Sequence, residues 1–66
     1  MSNEELINRI IALHIGWSKA QGGTYHLDSE YEEIDRDEME SYPRELLLAE
    51  LDRAKSGEQF LGEEAS

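Results

Sequence analysis

The sequence predicts an all-α fold: a small antiparallel helical hairpin whose two main helices lie at about 3–20 and 43–56, with a short acidic helix or loop at about 29–40. Three observations predict it. The apolar residues are helix formers, with eight Leu and five Ile against no Val and a single Thr, and β-branched and aromatic enrichment of the kind strands need is missing. Apolar positions recur at three and four residues in the first and last thirds of the chain. Helix start and stop signals flank both stretches.

The first helix opens on Ser2-Asn3-Glu4-Glu5, the S-x-x-E spacing of a capping box. Met1 and Leu6 sit where a hydrophobic staple would place them. Leu6, Ile7, Ile10, Ile11, Leu13, His14 and Trp17 then trace one apolar side, and Glu5 with Arg9 forms an i,i+4 pair on the other. Gly16 within this pattern marks either a close helix approach or an early helix end, and Gly22-Gly23 is a break.

The middle segment is less regular. Asp28 or Ser29 can cap a helix, and Leu27, Tyr31, Ile34 and Glu38 follow helical spacing with Met39 beside them. Glu32 and Arg36 support that helix at i,i+4, whereas Glu33 and Asp37 are a like-charge pair that opposes it. The last helix starts at Pro43, read as its first helical residue with Ser41 or Tyr42 as cap. Leu47, Leu48, Leu51 and Ala54 form its apolar side, broadened by Leu46 and Ala49; Arg53 and Lys55 in the last turn and Gly57 after it close the helix. Gln59-Phe60-Leu61 reads as an apolar latch. The domain is thus expected over 1–61, followed by a frayed acidic tail at 62–66.

Core or dimer packing is assigned to Leu6, Ile10, Leu13, Trp17, Leu47, Leu48 and Leu51. A chain of 66 residues without a disulfide or metal staple often completes its core by oligomerising, so a homodimer is expected.

Composition limits the function. With 16 acidic and 6 basic residues the formal net charge is −10, a field that argues against direct binding to nucleic acid or to an anionic membrane. There is no cysteine, hence no disulfide framework and no Cys-type zinc site. No apolar run is long enough to cross a bilayer, and the start has neither the basic nor the apolar region of a secretory signal, so a cytoplasmic protein is expected. The charge is unevenly spread. Residues 1–27 are neutral, residues 41–66 sum to −3, and residues 28–40 hold eight acids and one base for a net of −7.

That block is the candidate site: Asp28, Glu30, Tyr31, Glu32, Glu33, Asp35, Asp37, Glu38 and Glu40. As a helix about 18 Å long it would carry one carboxylate per roughly 2.3 Å, against ~1.7 Å per phosphate charge along duplex DNA. A carboxylate row of that density suits a basic, nucleic-acid-binding surface on a protein partner. Tyr31 is the aromatic anchor within it, since aromatics stack on Arg and Lys. The competing expectation is that the acids serve solubility, and that the chain is a homodimeric adaptor binding through its apolar helix faces.

Other chemistries find little support. An EF-hand register starting at Asp35 places Met39, Glu40 and Leu46 at positions 5, 6 and 12, and one starting at Asp28 places Glu33 at position 6 and Met39 at position 12. His14 and His26 lack the further ligands that zinc needs, and are expected as a packed, hydrogen-bonded core or interface histidine and a partly exposed loop histidine. No nucleophile arrangement or phosphate loop is present. No catalytic, metal or cofactor residues are assigned, and an enzyme is not expected. In composition, though in no motif, the chain resembles small acidic accessory proteins of bacteriophages and mobile elements, which implies an inhibitor of host DNA-binding machinery.

Overall fold

A computed structural model describes residues 1–56. Their regular structure is helical: α1 (Asn3–Gln21), a single 3-10 turn (Tyr25–Leu27), α2 (Ser29–Glu40) and α3 (Arg44–Lys55). The expected latch at 59–61, the tail at 62–66 and the closing Gly57 lie outside the described residues.

Local chemistry sets the helix ends. Ser2 caps α1, its Oγ accepting from Glu5 N–H at 3.1 Å. At the other end Gly22 adopts the left-handed conformation, φ 72°. Its N–H donates to Lys19 O, and Gly23 N–H donates to Ser18 O at 2.8 Å. This is the two-bond Schellman closure, which favours glycine because a side chain at positive φ is strained. Gly16 neither ends the helix nor marks a close approach, since a Cβ built on it meets nothing within 4 Å. Asp28, not Ser29, caps α2, accepting from Glu30 N–H at 2.9 Å. Pro43 stands one position earlier than the sequence suggested: its ψ of 157° is extended, so it caps α3 from outside. Its carbonyl accepts from both Leu46 and Leu47 N–H. Tyr42, freed from capping, packs against the core.

The core consists of Leu6, Ile7, Ile10 and Ile11 of α1, Met39 of α2, and Leu47 and Leu51 of α3, with Leu13, Ile15 and Tyr42 against it. Helix α1 is central and packs on both of the others. Its expected pairing with the last helix forms, but the two helices start side by side: Arg44 of α3 donates to Asn3 Oδ1 at 3.0 Å and to the Met1 carbonyl. A hairpin of these two helices would place the start of one at the end of the other. The difference arises because residues 29–40 form a whole helix, not a linker. Helix α2 runs back along α1, its last turn sharing a groove with the first (Asn3, Glu4, Ile7, Arg36 and Glu40), and so delivers α3 to the start of α1.

Of the residues assigned to core or dimer packing, Leu6, Ile10, Leu47 and Leu51 are buried within the single chain, and Leu13 and Trp17 are half-buried. Leu48 is not: it is 47% exposed. Four consecutive apolar residues, Leu46 to Ala49, cannot all face one neighbour at ~100° per residue. Leu47 and Leu51 take the core side, and Leu46 and Leu48 flank it in solvent. Met1, the outer half of the expected staple on Leu6, is 53% exposed.

Candidate functional site: an acidic helix held by a polar lock

The block at 28–40 is an ordered helix, and its attachment decides which of its side chains are available. Only Met39 is buried. The rest of the attachment is polar. Asp35 Oδ2 accepts from His14 Nδ1 at 3.1 Å and from Tyr25 OH at 2.8 Å. Because a carboxylate only accepts, the His14 proton facing it sits on Nδ1. The His14 and Tyr25 rings meet edge to face with centroids 5.9 Å apart. Burial and then the Asp35 carboxylate push the Tyr25 hydroxyl pKa well above the usual tyrosine value. Arg36, the one base of the block, donates to Asn8 Oδ1 of α1 at 2.6 Å.

A second contact fixes the turn that feeds α2. Ser18 is 1% exposed. Its Oγ lies 2.9 Å from His26 Nδ1 and accepts from His26 N–H at 3.4 Å. Gly23 sits against the same hydroxyl, where a Cβ would come within 3.0 Å of Oγ. His14 is thus a packed, hydrogen-bonded histidine at the α1–α2 interface, and His26 is a partly exposed histidine of the 3-10 turn that is also bonded to Ser18, as the sequence suggested for each. One ties α1 to α2, and the other ties α1 to the 3-10 turn.

The assigned acids separate into two groups. Glu32 and Asp35 are half-buried, Asp35 against α1, whereas Asp28, Glu30, Glu33, Asp37, Glu38 and Glu40 are exposed. Glu38 accepts from Tyr42 OH at 3.0 Å, a bond that raises the Tyr42 hydroxyl pKa. Among the exposed acids, Glu30, Glu33, Asp37 and Glu40 recur at three and four residues and form one row. Its ten steps span about 15 Å, or one carboxylate per ~5 Å. The closer spacing inferred from the sequence counted acids that point in different directions around the helix.

Beside this row runs a second one that the site assignment contained only through Tyr31. Tyr31 is 49% exposed and Ile34 is 58% exposed, with Leu27 at 71% immediately before the helix cap. Periodicity alone marks these as the apolar stripe of α2, yet the helix turns Met39 inward instead. The connection from Glu40 to Arg44 is only three residues long. It places Met39 and Tyr42 on the core, and that fixes the rotation of the whole helix. The signal that pointed to this orientation was the shortness of the 41–43 linker.

Among the described residues no group of three or more His, Cys, Asp or Glu is placed to hold a metal ion, and no helix is long and apolar enough to cross a membrane. No protein-family model, no curated protein and no solved structure matches the chain.

Proposed function

We propose that the chain is a small acidic protein-binding module that docks α2 on a basic surface of a protein partner. One observation carries this reading. The only base of the 28–40 block is bonded to the neutral Asn8 amide of α1, while six of its acids are exposed, so the outward face keeps a large negative excess. Such a face is complementary to Lys- and Arg-rich surfaces, where charge sets on-rate and specificity. A cleft that normally holds phosphate has this chemistry, and occupying it would make the chain an inhibitor of a nucleic-acid-binding protein. The outward row, at one charge per ~5 Å, is sparser than a single DNA strand at ~3.4 Å. Any likeness to nucleic acid therefore rests on sign and rod shape, not on matched spacing.

The test is affinity capture from the native host with the full chain and with a variant carrying Glu30→Lys, Glu33→Lys, Asp37→Lys and Glu40→Lys. The native chain should retain a protein that the variant loses, in a complex that weakens steeply with salt and is displaced by duplex DNA. Retention by both chains, or affinity flat in salt, would overturn the reading. A second reading, the homodimeric adaptor, rests on exposed Leu46 and Leu48 of α3. It calls for sedimentation as a dimer and for loss of the dimer in Leu48→Ala.

A further inference from the structure

Two parallel rows on α2 have different chemistry. One is acidic: Glu30, Glu33, Asp37 and Glu40. The other is apolar: Tyr31 and Ile34, with exposed Leu27 just before the helix cap. Both are exposed. Solvated helices usually keep such a stripe for a neighbour, and in this chain α1 and α3 occupy other sides of the core. An apolar seam flanked along one edge by charge is the pattern with which one helix selects another.

We infer that the segment received by α2 is an amphipathic basic helix, its apolar side chains on Leu27, Tyr31 and Ile34 and its Lys/Arg row along Glu30, Glu33, Asp37 and Glu40. The inference rests on the reading of α2 as the docking element and adds what anchors the partner. Charge complementarity selects the occupant. A second copy of the chain would set a −7 block against its own image, since a two-fold contact brings the same patch onto itself. A bare phosphate-type cleft would match the acids but leave the apolar row unused. A helix with apolar residues facing Tyr31 and Ile34, and basic ones beside them and onward to Glu40, satisfies both rows. The aromatic anchor then carries much of the affinity, and the carboxylates set orientation and partner choice.

The experiment titrates the full chain, followed by backbone amide shifts, with three synthetic helical peptides. The first has a Leu seam flanked by Lys, the second has the same Lys with Ser in the seam, and the third has the Leu seam flanked by Glu. The Leu/Lys peptide should bind with shifts confined to residues 27–40. At a salt concentration that abolishes binding of the Lys/Ser peptide, it should remain bound to the native chain. Tyr31→Ala and Ile34→Gln should each weaken it about tenfold, as truncation of an interface anchor does. Both positions are exposed, and unchanged helicity by circular dichroism checks the fold of each variant. Equal binding of the Lys/Ser and Leu/Lys peptides would overturn the inference and leave the acidic docking reading standing. Equal binding of the Leu/Glu and Leu/Lys peptides would overturn both. Self-association lost on Tyr31→Ala would overturn the inference in favour of a second copy.

Discussion

Helices α2 and α3 are the same length, 12 residues each, and both lean on α1, yet different forces hold them. Helix α3 contributes two buried leucines to the core, and basic residues in its last turn suit the helix dipole. Helix α2 contributes one buried methionine, has no base in its last turn, and depends on Asp35, Arg36 and the Tyr25 turn for the rest. An apolar attachment is indifferent to pH and strengthens when salts that favour burial are added. A polar attachment responds to protonation and to the loss of a single acceptor. The helix that carries the exposed acidic face is thus the one whose seating can be altered without dismantling the core.

The contrast can be broken most sharply at Leu47, which is fully buried. Leu47→Ala should cost about 2–5 kcal/mol, with loss of all three helices together in urea denaturation followed by circular dichroism. A smaller and more local effect is expected at Asp35. Asp35→Asn keeps the shape but weakens the shared acceptor of His14 and Tyr25, and should cost about 1–2 kcal/mol. Hydrogen exchange should show the loss as faster opening of α2, while α3 stays protected. Equal acceleration in both helices would show that the two attachments are not separable.

The mildest effect appears only in alkali. Tyr25 and Tyr42 are both shifted above the ordinary tyrosine value. A raised folded-state pKa means the folded chain holds its protons longer than the unfolded one. The stability they contribute is therefore complete below about pH 10 and falls as pH rises beyond it. Tyr25→Phe should flatten that alkaline decline in melting temperature. An unchanged decline would remove Tyr25 from the account.

Much of the fold was legible because it is written in short-range chemistry. Ser2, Asp28 and Gly22-Gly23 act within three or four residues of themselves, so both ends of α1 and the start of α2 follow from spacing. The like-charge pair Glu33 and Asp37 left α2 uncertain from sequence. What overrides that repulsion is long-range, a carboxylate at position 35 meeting partners at positions 14 and 25. The rotation of α2 was not legible for the same reason. Leu27, Tyr31 and Ile34 outnumber Met39 on any count of apolar positions, and the three-residue linker decided against them. Nor was the burial of Ser18 foreseeable, since its partner His26 lies across the glycine break. The acids of the candidate site were all visible as letters. Their division into inward and outward groups needed the fold.

The inward turn of Arg36 has a kinetic consequence. With that guanidinium held on Asn8, the centre of negative charge of the described residues is displaced toward α2. In the field of a positively charged body such a particle experiences a torque as well as a pull. It rotates while still at a distance and arrives with α2 leading, so fewer collisions are wasted on the wrong face. Replacing Asn8 or Arg36 would change how often the chain meets a positively charged surface with α2 foremost, even if every contact made after arrival stayed the same.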